Sequence, residues 1–311
     1  MLQLSDKVRK RHILLCFIAF GVFMQTYAQS NVRLNNFWDN LYSINPAYIT
    51  NKYLGSIGIA ARKQWMGFPG APSTYLVTGT LVLDKLNTQF GVKAYEDMIG
   101  YTHTSSASLS YAYAVNLNDD WRLHLGVAAS FQSLWYDMDM IRVDYLTDPT
   151  IPEKLVRTNH YNADLGAELA SRSLRIGISG QNIFSMFRNN NQDIANSNFI
   201  YATYRNFSEE ESQIDLGGGI YGVKNMRVYQ MGLSGTAYFK NAAMDDLFQV
   251  GVFYRTPNEM GAIAGFNISK SLYVSYSYDF NVSGISRSST GSHELMLILH
   301  LNKRDECHTC Y

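Results

Sequence analysis

The sequence predicts an all-β protein: a closed, transmembrane, antiparallel β-barrel of about fourteen strands with both termini in the periplasm. Three observations predict it. Side chains alternate between apolar and polar with a period of two through most of the chain, which is the period of a strand. The polar faces carry Ser, Gly, Ala and Thr with scattered Arg, His and Gln, and the apolar faces carry Tyr, Phe and Trp towards segment ends. A wet or plugged lumen and an interfacial girdle call for those residues. Long and short connections also tend to alternate, the outer-membrane pattern of loops on one rim and turns on the other.

Composition excludes other classes. With 46% apolar residues, mean hydropathy −0.16, 6 Pro and 3 Cys, the chain is not disordered, collagen-like or a disulfide scaffold. The 26 basic and 26 acidic residues balance, which excludes a nucleic-acid binder driven by bulk charge. No apolar run beyond residue 28 approaches the length of a spanning helix.

Residues 1–28 read as a signal peptide. Lys7, Arg9, Lys10 and Arg11 precede an apolar stretch from Ile13 to Phe23, and Thr26-Tyr27-Ala28 supplies a small residue before Gln29. Cys16 lies within the apolar stretch and not after it, which argues against a lipoprotein anchor. Removing four basic residues and one acidic (Asp6) leaves a mature chain with a net charge of about −3. Residues 29–55 are too polar for a strand and too aromatic for a free tail, with Asn31, Asn35, Asn36, Trp38, Asn40 and Tyr42 ahead of Asn45-Pro46. They are expected to pack on or inside the barrel as a plug, or to meet a periplasmic partner.

Residues 56–302 form the expected barrel. Its strands are read at 56–64, 74–83, 88–96, 102–116, 121–136, 160–170, 174–182, 199–205, 213–222, 228–240, 246–255, 260–268, 271–279 and 293–302. Three of them show the split plainly. Leu109, Tyr111, Tyr113, Val115 and Leu117 oppose Ser108, Ser110, Ala112, Ala114 and Asn116. Leu123, Leu125, Val127 and Phe131 oppose His124, Gly126, Ser130 and Gln132. Leu272, Val274, Tyr276, Tyr278 and Phe280 oppose Ser275, Ser277 and Asp279. The long connections are 65–73, 137–159, 183–198 and 280–292, against short turns such as 84–87, 118–120 and 269–271. The segment 206–212 is intermediate, and the connection after the third strand is brief. Gly217-Gly218-Gly219 lies in a strand with no helix after it, so it marks a bulge or a close approach and not a phosphate loop.

Asn45-Pro46-Ala47-Tyr48, followed by Arg62-Lys63-Gln64-Trp65-Met66-Gly67-Phe68-Pro69-Gly70-Ala71-Pro72-Ser73-Thr74, resembles the opening signature of PorP/SprF-type outer-membrane proteins of the type IX secretion and gliding-motility machinery. Asp97-Met98-Ile99-Gly100, Asn182 after Gly177-Ile178-Ser179-Gly180, and Gly291-Ser292-His293-Glu294 extend the resemblance along nearly all of the mature chain. The stretch at Thr50-Asn51 lacks the small Ala-Gly pair common in that family. The resemblance implies a non-enzymatic barrel at the cell outer membrane, without cofactor or metal, that binds, anchors or supports export of type IX cargo carrying an adhesin-type C-terminal sorting domain. It also implies contact with periplasmic ring and lipoprotein components. The alternative is an outer-membrane solute channel of the fatty-acid-transporter type. The interaction candidates are Asn45, Pro46, Ala47, Arg62, Gln64, Trp65, Gly67, Phe68, Pro72, Thr74, Asp97, Gly100, Gly291, Ser292, His293 and Glu294.

Some positions carry expectations of their own. Arg62 shares the polar face of the first strand, and Glu294 that of the last. If those strands close the barrel, the two form an ion pair just inside the long-loop rim, because a charge in a confined lumen needs a partner. The Gly/Pro-rich segment 65–73 suits a rigid cap over the mouth or a binding surface, or else a tight rim loop with Trp65 in the interfacial belt. In the tail 303–311, Cys307 and Cys310 suit a local disulfide; with His308 they fall short of the four ligands of a zinc site. His103, His124, His160, His293 and His300 form no catalytic triad by spacing, and His124 with Ser130 on one face is a coincidence of alternation.

Overall fold

The computed structural model describes residues 34–50, 52–137, 157–187, 196–207, 212–225, 228–241, 245–281 and 289–302. The signal-peptide reading of residues 1–28 and the Cys307–Cys310 disulfide lie outside the described residues.

Fourteen strands form the wall: β1 Gly55–Lys63, β2 Ser73–Leu83, β3 Thr88–Ile99, β4 Thr102–Asn116, β5 Arg122–Tyr136, β6 Arg157–Ala170, β7 Leu174–Gln181, β8 Ser197–Arg205, β9 Ile214–Asn225, β10 Val228–Lys240, β11 Asp246–Arg255, β12 Glu259–Asn267, β13 Leu272–Asn281 and β14 Ser292–Leu301. Each pairs with its sequence neighbours, and β1 closes on β14. Every pairing is antiparallel. Closure satisfies the backbone N–H and C=O groups of both end strands, a necessity where no water reaches the wall. The strands follow the sequence reading to within a few residues, including those expected at 199–205 and 260–268.

The burial pattern is that of a membrane barrel. In β4, Ser106, Ser108, Ser110, Ala112 and Ala114 are buried, while Leu109 is 69% exposed and Tyr111 and Tyr113 are exposed beside it. Small and polar residues face the lumen and large apolar residues face outwards, the reverse of a water-soluble sandwich. The rims are less regular than alternation suggests. The long connections 64–72, 137–156, 182–196 and 282–291 share one rim, but so do the two- and three-residue links 100–101, 226–227 and 256–258. The other rim carries only the shorter turns, from 171–173 up to 206–213.

Gly217, Gly218 and Gly219 stay in regular register with β10, so no bulge lies there. Gly219 is instead a close approach: a Cβ on it would meet the Trp38 ring within 3.0 Å. The register shift falls between Phe239 and Lys240.

Within the described residues, the segment ahead of β1 and the end of β14 reach different rims, while the two termini lie outside the described residues. Leu301 ends β14 at the short-turn rim, whereas Asn35 is bonded to Glu294, Asp279 and Arg255, near the long-loop ends of β14, β13 and β11. Residues 34–50 lie inside the wall before β1 begins, a placement that strand parity does not encode.

Candidate functional site

The lumen is occupied by residues 34–50, which form two short 3₁₀ turns, Asn36–Trp38 and Leu41–Ser43. Leu34, Phe37, Leu41 and Ile44 are buried with the wall residues Ala60, Leu76, Tyr201, Tyr273, Met296 and Ile298. Phe37 and Trp38 pack edge-on to Tyr221, at 5.0 and 5.6 Å between ring centres. The segment lacks periodicity, so its polar backbone is satisfied one group at a time by inward-facing side chains.

The first tie is at the long-loop end. Glu294 and Arg62 face each other across the β1–β14 seam, with Arg62 Nη1 3.2 Å from Glu294 Oε2 and Arg62 Nη2 2.8 Å from Asp279 Oδ2. Glu294 also accepts the backbone N–H groups of Asn35 (2.6 Å) and Asn36 (2.9 Å). Asn35 Nδ2 donates to Asp279 Oδ2 at 2.6 Å, and Arg255 Nη2 donates to Asn35 Oδ1 at 2.7 Å. Arg255 Nη1 in turn lies 3.3 Å from Glu259. The expected seam pair therefore forms, within a larger network whose centre is Asn35. Buried charges persist only when their remaining bonding capacity is met, and here the lumenal segment meets much of it.

The second tie holds the Asn-Pro-Ala-Tyr box. Asn45 Oδ1 accepts the N–H of Ala47 at 2.9 Å, and Asn45 Nδ2 donates to Tyr201 Oη at 3.1 Å. Tyr201 donates to Glu168 Oε2 at 2.7 Å, and Glu168 also holds Arg175 (2.6 Å) and His124 Nδ1 (3.1 Å). The Arg175 guanidinium lies over the Tyr48 ring, 4.8 Å from its centre. Ala47 is fully buried, against the backbone of Gly126. Between the ties, Tyr273 and Gln249 donate to Asp39 at 2.7 and 2.9 Å, and Tyr42 shares a 2.7 Å bond with Ser110. Burial holds the Asp39 carboxyl above its ordinary value, against the pull of those two donors.

Most of the signature from Gln64 to Thr74 forms a lip on the long-loop rim. The Gln64 N–H donates to the Pro72 carbonyl at 2.9 Å, the Met66 N–H to Gly291 at 2.8 Å, and the Gly100 N–H to Gly70 at 3.0 Å. Trp65 N lies 3.4 Å from Ser292 Oγ. Gly67 and Gly291 have φ of 92° and 97°, values that favour glycine. Trp65, Gly67, Pro72, Gly100, Gly291 and Ser292 thus converge, and Phe68 stands exposed on this lip. Thr74 and Asp97 bond to each other in the lumen. His293 is apart from them, set beside Tyr276 and Tyr278 away from the lumenal ties. His124 pairs with Glu168 and not with Ser130. Beside the segment, an opening of about 650 Å³ that is continuous with solvent is lined by Leu34, Phe37, Ile44, Phe199, Tyr221 and Arg255.

Sequence reasoning did not single out Asn35, Asp39, Glu168, Arg175, Tyr201, Arg255 or Asp279 as interaction candidates. A usable signal was present for most of them: a charged residue on the small-residue face of a strand must find a lumenal partner.

Comparison with known proteins agrees with this architecture. The family model described as type IX secretion system membrane protein PorP/SprF matches residues 26–299. No curated protein matches the chain. Among solved structures, a deletion mutant of the monoaromatic hydrocarbon channel TodX superposes with a TM-score of 0.50 at 8% identity, covering 84% of this chain and 93% of that one, which speaks to the fold alone. A Pseudomonas aeruginosa FadL homologue gives 0.47 at 12% identity, with 84% and 94% covered. Acinetobacter baumannii Omp33 gives 0.45 at 10%, with 81% and 100% covered. With a closed fourteen-stranded wall, an outward apolar belt and a family match over nearly its whole length, this outer-membrane barrel belongs to the PorP/SprF family of type IX secretion system membrane proteins.

Proposed function

We propose that this barrel works by binding and not by conduction or catalysis: it anchors or supports export of a type IX cargo through an adhesin-type C-terminal sorting domain, and couples the machine to the outer membrane. The observation that carries this reading is the occupied lumen. Residues 34–50 cross it and are bonded to β2, β4, β6, β8, β11, β13 and β14. A lumen so filled favours a role for the rims. The long loops are taken to face the exterior and the short turns the periplasm, as in other outer-membrane barrels. On that view the bonded lip at 64–72 offers cargo an ordered surface at low entropy cost. The tail 303–311, with Cys307 and Cys310, follows β14 on the periplasmic side, where ring and lipoprotein components would meet it. Residues 1–28 are taken as a cleaved signal peptide.

The test is a mild-detergent pull-down of the tagged mature protein from its own outer membrane, with mass spectrometry of what accompanies it. The expected companions are a secreted protein's C-terminal domain or periplasmic lipoproteins, with little conductance in planar bilayers. A barrel without a stoichiometric companion that conducts ions would instead support the channel reading.

A further inference from the structure

We infer that the opening beneath the long-loop mouth is a binding site for a polypeptide carboxy-terminus whose last residue is aromatic or large and apolar. This deepens the cargo-binding reading, on which it rests, by naming the part of a cargo that the barrel holds. The site lies at the top of the lumen. Gln181, Asn225 and Arg255 are the last residues of β7, β9 and β11, all on the long-loop rim, and each lines the opening. The lumenal segment lines it too, through Leu34, Phe37, Ser43 and Ile44. Its 650 Å³ falls within the range of about 300–1,000 Å³ usual for small-ligand sites.

Three features of the lining match that occupant. Phe37, Phe199 and Tyr221, with Leu76 and Ile44, make an apolar and largely aromatic wall for a side chain. The charged residues on the lining are both cations, Lys93 and Arg255, and both keep donor capacity. Lys93 Nζ lies 3.3 Å from the Ser43 carbonyl and 3.5 Å from Asp164, long beside the roughly 2.7–2.9 Å of a charge-assisted bond. Arg255 reaches Glu259 at 3.3 Å and donates to Asn35, but its Nε–H makes no hydrogen bond among the described residues. Arg255 is 3% exposed, and an unmet donor buried to that degree calls for an acceptor. Ser43 Oγ, also without a partner among the described residues, adds a further donor. The third feature is an acceptor: Asn225 Oδ1 is buried at the rim with no partner among the described residues. A terminal carboxylate meets the donors, the N–H of the last peptide bond meets Asn225, and the last side chain lies on the aromatic wall. A simple apolar acid would leave Asn225 unmet, and a cation would face Lys93 and Arg255.

The mature barrel in lipid nanodiscs is titrated with N-acetyl-L-phenylalanine carrying a ring fluorine and followed by fluorine NMR. Unlabelled N-acetyl-L-phenylalanine, its neutral carboxamide and hydrocinnamate are the competitors. The acid is expected to displace the reporter, the carboxamide about tenfold more weakly and hydrocinnamate about fivefold more weakly, the scale of a lost charge-assisted and a lost neutral hydrogen bond. Lys93→Met should bring the acid down towards the carboxamide, and Phe199→Ala should weaken all three about fivefold through lost apolar contact. Ile178→Ala, on the outer wall, should change nothing and controls for partition into the bilayer. Folding is checked by heat-modifiable migration, and the comparison on the unaltered protein decides by itself where a variant does not fold. Equal potency of acid and carboxamide, or no displaceable binding, overturns the site. Hydrocinnamate as potent as N-acetyl-L-phenylalanine overturns the peptide assignment in favour of a free acid. Cargo recovered in the pull-down without acid preference strikes this site and leaves the cargo reading standing. Acid preference without recovered cargo keeps the site and strikes the cargo reading.

Discussion

At the scale of single residues, Glu294 carries an unusual load. It completes the ion pair at the barrel seam and accepts two backbone N–H groups of the lumenal segment. Glu294→Ala leaves Arg62 with Asp279 alone and orphans both N–H groups, so it is expected to cost about 3–5 kcal/mol in barrel stability, the scale of breaking a buried pair. Adding Arg62→Ala should cost less than its effect alone, because the two side chains share a network. Urea unfolding in lipid vesicles measures both, and strict additivity would place the two residues in separate interactions. Asp39 gives a pH signature. Burial raises its folded-state value, so the folded chain keeps a proton that the unfolded chain has already released above the ordinary value of 3.8. Stability contributed at this site therefore falls as pH rises from that value. Asp39→Asn should remove that slope and gain relative stability towards neutral pH, as read from unfolding midpoints of wild type and variant across pH. Equal slopes would contradict it.

At the scale of elements, the wall is shaped to the segment it encloses. A Cβ on Gly166 would collide with Asn45, and one on Gly126 with the backbone of Pro46 and Ala47, whereas one on Gly235 meets nothing within 4 Å. Gly126→Val should thus expel the Asn-Pro-Ala-Tyr box at about 1–3 kcal/mol, the usual cost of overpacking. The variant should gain protease sensitivity near residues 45–49 and bilayer conductance, and Gly235→Ala should gain neither. An unchanged proteolysis pattern in Gly126→Val would mean that the box is not held where it packs. The strands around this box were legible because period-two alternation fixes both element and face. That same logic made the Arg62–Glu294 pair legible once β14 was assumed to close on β1. The plug was legible only as an odd composition, polar yet aromatic. Its ties are isolated bonds of its backbone and side chains to single wall side chains, which leave no period to read.

At the scale of the whole molecule, the barrel buries what a soluble protein exposes. Arg62, Glu168, Asp279 and Glu294 are each less than 5% exposed, while Leu109, Ile178, Ile220 and Val252 stand more than half exposed on the outer wall. Such a surface is stable only against hydrocarbon, and a large apolar patch of this kind in water would drive association. The two environments make opposite predictions for one substitution. Leu109 lies at the middle of β4 and faces outwards. In water, Leu109→Arg on an exposed strand position would change stability by about 0.5 kcal/mol or less. In a bilayer it should cost about 2–4 kcal/mol, because the charge sits near the midplane. The cost should shrink for the same change at Tyr101, next to the long-loop rim, since a charge near the interface costs only about 0–1 kcal/mol. Folding titrations of the two variants in vesicles read this depth dependence directly. Equal, small effects at both positions would mean that the outer belt faces solvent and that the chain does not span the membrane through these strands.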